Sequence, residues 1–267
     1  MKTSANLRAA CADRGARWRA FSGLLRSLWM YRRPGRQRSL RNFYRQWIQP
    51  GDLVFDIGAH VGDRSLAFAS LGARVVAAEP QPQLAAFLRR GVGRRRRIRV
   101  LETAVGATEG PASMWISRAT PTVSSLAEEW KSGIGRANPT FAGVNWDQRL
   151  TVAVTTLDRL IADYGEPVFC KIDVEGFEHE VLAGLGHALK ALSLEFVQGS
   201  LDTARACIDE LQRLGCYQFN AVAGEGRAFL WSDWRDAEAV RTWLADGADG
   251  VSSGDLYARL IRRSIDD

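Results

Sequence analysis

The sequence predicts an α/β fold, a mostly parallel central sheet with helices on both faces, and three observations carry that expectation. Two apolar runs, Leu53–Phe55 and Arg74–Ala78, are short and do not alternate polar with apolar residues, so they suit parallel strands buried on both faces. Between them lie two turn glycines and a stretch, Ser65–Leu71, that forms a crossover helix. Farther on, Val168–Leu189 repeats the pattern of an apolar strand, an acid at its end and a helix.

The first strand and its loop point to a ligand. Gly58 and Gly62 have no Cβ, so the chain can turn tightly after the strand and a ligand can lie close to the backbone. Glu79 ends the second strand 21 positions after Gly58, near the ~20 expected of a carboxylate that accepts hydrogen bonds from ribose hydroxyls. A dinucleotide site would need glycine at the third position of G-x-G-x-x-G, where this chain has His60. What remains is Asp-x-Gly-x-x-x-Gly, in which Asp56 aims a negative charge at the ligand. That charge repels a phosphate and attracts the ammonium and sulfonium of S-adenosylmethionine. The bland alternative is an Asp56 that only caps the loop and a Glu79 that is a solvated strand end.

At Val168–Leu189 the strand ends at Asp173. Lys171, Asp173 and Glu175 therefore stand at the carboxyl edge of the sheet, where open α/β folds bind ligands, and are candidates for the reacting site. Glu175, Glu178 and Glu180 near the helix start suit its dipole. Phe177, Val181, Leu182 and Leu185 are expected on its inward side, with Gly184 or Gly186 near its stop.

Four strings, DIGAHVG (Asp56–Gly62), AEP (Ala78–Pro80), TTLD (Thr155–Asp158) and KIDVEGFE (Lys171–Glu178), together resemble the FkbM family of S-adenosylmethionine-dependent methyltransferases. The similarity runs over roughly Leu53–Val197. It implies the Rossmann-like class I methyltransferase fold and methyl transfer to a hydroxyl of a sugar, polysaccharide, polyketide or similar natural product. By the same resemblance the cofactor contacts are Asp56, Gly58, Ala59, Gly62, Glu79 and Pro80. Asp56 and Gly58 take the amino-acid end, Glu79 the ribose, and Asp173 stands nearest the methyl group. His60 departs from the family pattern, where a small or amide residue is usual.

Composition agrees with an enzyme of one substantial core: 267 residues, 46% hydrophobic and 25% charged. Cys11, Cys170, Cys207 and Cys216 show no metal-ligand or disulfide spacing, so a reduced compartment is expected and zinc is not. No run of about twenty apolar residues exists and no secretory signal is evident, so the catalytic body is expected in the cytoplasm.

The net charge of +6 conceals an asymmetry, since residues 1–49 hold twelve basic residues against one acid and the remainder has a net charge of −5. We divide the chain into a basic, partly helical extension at 1–49 and a methyltransferase domain at 50–267. Residues 17–31 suit an amphipathic helix with Trp18, Phe21 and Trp29 among its apolar residues, which would favour peripheral contact with an anionic membrane at its inner face. Nucleic acid would also attract the extension, less favourably. Weighed ahead of both is a helical extension that packs its apolar side on the methyltransferase body with its arginines solvated. A second basic group, Arg89, Arg90, Arg94, Arg95, Arg96, Arg97 and Arg99, precedes and flanks an expected strand at Ile98–Leu101 and reads as a solvated face.

Met114–Ile116 and Thr151–Val154 read as short strands around a Pro- and Gly-punctuated insertion at 117–150. That insertion is either a cap, with Trp130 and Trp146 against a sugar ring, or a loop packed on its own aromatics. Leu192–Val197 is expected as a strand with Glu195 inside it, and Asp202–Leu214 as a helix. Tyr217–Val222 and Arg227–Trp231 are expected to form an antiparallel C-terminal hairpin around Gly224–Gly226, and Asp236–Arg263 a partly helical tail that covers the sheet or contributes to a homodimer.

Methyl transfer to oxygen requires alignment and one proton acceptor. Asp173 is the first candidate base, followed by Glu175, His60 and His179; Lys171 would oppose a raised Asp173 pKa. No metal is assigned, since the sequence does not show whether Asp173, Glu175 and Glu195 converge. Two other readings stay open: a ribose methyltransferase of nucleic acid that binds through the basic extension, and a nucleoside-binding module without catalysis. No Asn-Pro-Pro-Tyr-type tetrapeptide follows Val168, which argues against base amino-methylation.

Overall fold

The computed structural model describes residues 35–91, 96–117, 126, 144, 146 and 148–261. The amphipathic stretch 17–31, Arg94 and Arg95, and most of the 117–150 insertion, including Trp130, lie outside the described residues.

Seven strands form the central sheet: β1 Leu53–Ile57, β2 Arg74–Ala78, β3 Ile98–Leu101, β7 Phe169–Ile172, β8 Ala191–Val197, β9 Tyr217–Ala223 and β10 Ser253–Leu260. Their order is β3-β2-β1-β7-β8-β10-β9, parallel except for β10, which runs antiparallel to both neighbours. β1 and β7 are buried along their whole length, as their unbroken apolar runs require.

Side-chain alternation sends each strand's residues to two layers. Val54, Val75, Phe169 and Tyr257 face α1 (Arg36–Tyr44) and α2 (Asp63–Ser70). Phe55, Cys170, Leu192, Leu194 and Leu256 face the opposite layer, α4 (Leu157–Tyr164), α5 (Glu178–Ala183), α6 (Leu201–Leu214) and α7 (Ala237–Ala245). α3 (Pro82–Gly91) connects β2 to β3. The chain leaves β1 toward β2 and β3 and returns on the other side at β7, so the carboxyl ends of β1 and β7 flank the switch point, where such folds open a crevice.

α1 belongs to the body of the protein. Leu40, Phe43, Tyr44 and the following Ile48 are buried, and Trp47 stacks on Tyr257 at 5.3 Å between centroids and 9° between planes. Phe43, Phe68, Phe169 and Phe229 complete an aromatic cluster between α1 and the sheet.

A separate three-stranded sheet orders as β4-β6-β5, from Ala104–Val105, Gln148–Thr155 and Gly110–Ile116, and has its own small core of Ala104, Met114, Ile116 and Val152. Both strands read from the sequence as short are longer than expected, because β5 and β6 pair over seven residues. Arg89, Arg90, Arg96, Arg97 and Arg99 are exposed around edge strand β3.

The C-terminal antiparallel pair is present, but its second strand is not the expected one. β9 pairs with β10, while Arg227–Trp231 is not a strand and contributes to β9 only through bonds such as Leu230 N to the Ala221 carbonyl at 2.8 Å. The chain first makes α7 and a short 3₁₀ turn and only then enters the sheet, so the expected tail is part helix and part strand. Local turn chemistry at Gly224–Gly226 imitated a hairpin, and β10 won because Leu256 and Ala258 join the buried core on one face and Tyr257 on the other.

Truncation of Phe43, which packs on Tyr44, Trp47, Phe229 and Tyr257, should be costly. Phe43→Ala is expected to lower the unfolding free energy by about 3–5 kcal/mol, read from urea denaturation followed by far-UV circular dichroism; a loss below about 1 kcal/mol would mean that α1 contributes little to the core.

Candidate active site

The carboxyl ends of β1, β2 and β7 open into one cavity, of about 870 Å³ with its mouth, bounded on another side by β4, Met114 and Leu126. Asp56, Gly58, Ala59, Glu79 and Pro80 line it, as do His60, Asp173 and Glu175, so the structure brings these predicted residues together. Lys171 and Gly62 are not among the lining residues, and neither is His179.

Gly58 sits at φ +80°, where an L residue is strained, and a Cβ there would overlap the Asp173 carbonyl oxygen. The glycine thus lets the loop after β1 lie against the end of β7, where Asp173 N donates to the Ile57 carbonyl at 2.9 Å. Gly62, also left-handed at φ +78°, precedes α2 and allows the turn into it.

Glu79 ties the two loops of the cavity. One carboxylate oxygen accepts from His60 N at 2.9 Å and the other from Gln81 N at 2.9 Å. Burial nevertheless pushes its pKa up to about 7, against those two backbone bonds. Asp56, on the α2 face of β1, accepts from the Ser65 hydroxyl, and burial raises it to about 6. Glu178, at the start of α5, accepts from Val174 N at 3.0 Å and Gly176 N at 3.3 Å, which shapes the turn carrying Asp173 and Glu175; burial raises it to about 7. Acids raised in the fold keep protons that the unfolded chain releases, so their burial costs stability as pH rises from the ordinary carboxylate range to about 7.

Burial lowers His60 to about 4, with Asp63 and Asp173 opposing. Its imidazole is therefore neutral at pH 7 and a weak proton acceptor. His179 is partly exposed and lies 3.7 Å from Glu180, away from the cavity.

Lys171 lies behind the site. Its ammonium, with no solvent exposure, sits 3.2 Å from Asp173 and 2.8 Å from Asp255 of β10. Burial works against its charge, but the two carboxylates outweigh it and hold the lysine above its ordinary pKa. Lys171 is thus a support for Asp173.

Asp173, Glu175 and Glu195 do converge, each offering an oxygen within 4.8 Å of the others. Among the described residues this is the group of acids that could hold a cation. Burial first, then Asp173 and the neighbouring glutamates, raises both Glu175 and Glu195 well above the carboxylate range, toward their neutral forms.

Three side chains near the site escaped the sequence reading: Asp63 and Arg64 at the start of α2, and Asp255. The Asp-Arg pair directly after Gly62 was a visible signal, at the first helical turn of the glycine loop. Asp255 had none, because its strand was not foreseen.

The Methyltransferase FkbM domain matches residues 56–246 of this chain. No curated protein matches it in sequence. Among solved structures, it is similar to precorrin-6y C5,15-methyltransferase from Geobacter metallireducens at 14% identity and TM-score 0.46, over 86% of this chain and 89% of that one. It is similar also to a TehB-like SAM-dependent methyltransferase from Corynebacterium glutamicum, at 12% identity and TM-score 0.46 over 95% and 100%. A third likeness is to Aeropyrum pernix fibrillarin with bound S-adenosyl-L-methionine, at 11% identity and TM-score 0.40 over 79% and 68%. With the DIGAHVG, AEP and KIDVEGFE strings each contributing to one cavity and the domain matching across most of its length, the chain belongs to the FkbM family of methyltransferases, whose methyl donor is S-adenosylmethionine.

Proposed function

We propose that the methyl group goes to a hydroxyl oxygen of a saccharide or similar natural product. The observation that carries this reading is the pair Asp173 and Glu175 on the cavity wall, two carboxyl groups in unlike environments at the end of β7. Asp173 is ion-paired with Lys171, while Glu175 is pushed toward its neutral form by burial and by Asp173. Such a pair suits a hydroxyl acceptor, with Asp173 taking the proton and Glu175 donating a hydrogen bond that holds the oxygen.

Bound S-adenosylmethionine supplies an activated methyl on a sulfonium. The protein's own contribution is alignment, which can be worth roughly 7–11 kcal/mol in favourable cases. Glu79 receives the ribose hydroxyls and Asp56 faces the cofactor's cationic end. Pro80, Ala59 and the backbone at Gly58 shape the wall between them, and Gly62 sets the start of α2. Neutral His60 contributes its backbone N–H to Glu79 and is assigned no proton transfer.

RNA ribose is chemically the same kind of acceptor, so the acceptor panel includes it. For the basic extension at residues 1–49 the reading retained is peripheral attachment to an anionic membrane. No helix among the described residues is long and apolar enough to cross a membrane.

With a labelled methyl donor and a panel of hydroxylated saccharides, Asp173→Asn should bind S-adenosylhomocysteine within about threefold of the parent while turnover falls ~10²–10⁴-fold. Full turnover in that variant would remove Asp173 from the role.

Ribose hydroxyls that donate to Glu79 favour its ionised form. S-adenosylhomocysteine affinity should therefore rise as pH passes through about 7, with proton release detectable by calorimetry in buffers of different ionisation enthalpy. Glu79→Gln should bind more weakly and lose that pH dependence; an unchanged slope would show that another group takes up the proton.

Sedimentation with phosphatidylserine vesicles should capture the full chain and leave a form without residues 1–34 in solution. A full chain that stays in the supernatant would exclude membrane attachment.

A further inference from the structure

β3 ends the central sheet on one side, pairing with β2 and with no other strand among the described residues. The carbonyls of Arg97 and Leu101 accept from Val75 N at 2.7 Å and from Glu79 N at 3.0 Å. By the period-two alternation of a strand, residues 97, 99 and 101 turn their backbone groups toward β2, and Ile98 and Val100 turn theirs away. Those outward N–H and C=O groups have no hydrogen-bond partner among the described residues. An edge of this kind is a template for a further strand.

The edge runs along a groove. β3 forms one wall and Leu160, Asp163 and Tyr164 of α4 the other, and Thr103 at its end also lines the methyl-transfer cavity, so groove and cavity adjoin. The charge around the groove is one-sided. Arg89 and Arg99 line it, and Arg90, Arg96 and Arg97 are exposed beside it. Its two acids are already engaged, Glu102 with Arg89 at 2.7 Å and Asp163 with Arg159 at 3.2 Å. Arg97 donates to the Gly72 carbonyl at 2.8 Å, and Arg90, Arg96 and Arg99 have no carboxylate partner among the described residues. This charge selects the strand that could be added. A second copy of the chain would bring its own Arg97 and Arg99 against these, and the extension at residues 1–49 holds twelve basic residues against one acid. Like charges opposed across a strand pair destabilise it, so both are disfavoured. An extended acidic segment matches the backbone groups and the guanidiniums together.

We propose that β3 is a docking edge for an extended acidic segment of a partner protein, which adds to the central sheet as a further strand and sets its carboxylates against Arg96 and Arg99. Main-chain bonds to Ile98 and Val100 supply the register, and the arginines supply the choice of partner. The inference depends neither on the methyl donor nor on the acceptor. Its plain counterpart is a guarded edge, at which the arginines only keep copies of the chain apart.

The probe is a labelled peptide of alternating valine and glutamate, about ten residues long to cover the edge. A valine and lysine peptide is its control, and polyuridylate is a polyanion with no strand to offer. Fluorescence anisotropy with the full chain should show saturable binding of the glutamate peptide and none of the lysine peptide. Arg99→Glu should weaken the former about tenfold, as reversal of an interface charge does. Bound peptide should slow hydrogen exchange at the Ile98 and Val100 amides, which are open in the free chain. Val100→Pro removes one of these N–H groups at an edge position that tolerates proline. It should weaken the glutamate peptide about fivefold, the loss of one main-chain bond, and leave polyuridylate affinity, a matter of charge alone, within about twofold. If Val100→Pro does not fold, Arg99→Glu and the exchange measurement decide the matter. A glutamate peptide that does not bind overturns the proposal and leaves a guarded edge. Binding that leaves both amides unprotected also overturns it, in favour of a basic face that takes any polyanion.

Discussion

An ammonium group without solvent, the Nζ of Lys171, is the constraint on which the rest of the site depends. An unpaired charge in such a place costs several kcal/mol even after relaxation. Lys171 stands in the middle of the sheet, so the compensating carboxylates must come from its neighbours. Asp173 comes from the same strand, and Asp255 comes from β10, two strands away. This requirement ties the position of the antiparallel strand to the geometry of the reacting edge. It extends outward, because Asp255 also approaches Arg64, which shares Glu225 and Asp63 with Arg36 of α1. Elements from both ends of the chain are thereby joined to the wall of one cavity by a continuous row of charges.

The aromatic cluster under α1 shields the inner part of that row, Lys171 and Asp255, while Glu225 at its outer end is half exposed. Phe43, Tyr44 and Trp47 pack on Phe68, Phe169 and Tyr257, and the Tyr44 and Tyr257 hydroxyls, 3.3 Å apart, share a hydrogen bond. Tyr257 also donates to Asp255 at 3.4 Å, so the apolar packing and the ion network meet at one residue. Electrostatic interactions are strong there because water is excluded. Burial in the cavity wall likewise raises the carboxyls Asp56, Glu79 and Glu175 above their ordinary range.

A site of this kind needs little apparatus, since the donor already carries an activated methyl and the protein's contribution is placement. The carboxyl groups differ by environment more than by identity. Glu79 and Asp56 accept from N–H and hydroxyl donors, Asp173 is paired with a buried cation, and burial followed by neighbouring acids raises Glu175 and Glu195. From one functional group, the carboxyl, the fold therefore obtains groups suited to accept a hydrogen bond, to take a proton, and to donate one.

Much of this was legible in the chain itself. The apolar runs, the glycines at 58 and 62 and the acids at 56, 79 and 173 are local features, and their spacing specifies strand, turn and strand tip without knowledge of distant residues. Backbone sterics and hydrophobic burial act over a few positions, so a sequence records them directly. The same local reasoning failed at Arg227–Trp231, where turn residues promised a hairpin and the sheet took Ser253–Leu260 instead. It was equally silent about whether Asp173, Glu175 and Glu195 meet, about the partner of Lys171 and about the ion pairs of Arg64. Those properties depend on which strands become neighbours and how much water reaches them, and pairing across 84 residues, as between Lys171 and Asp255, is decided only when the whole core closes.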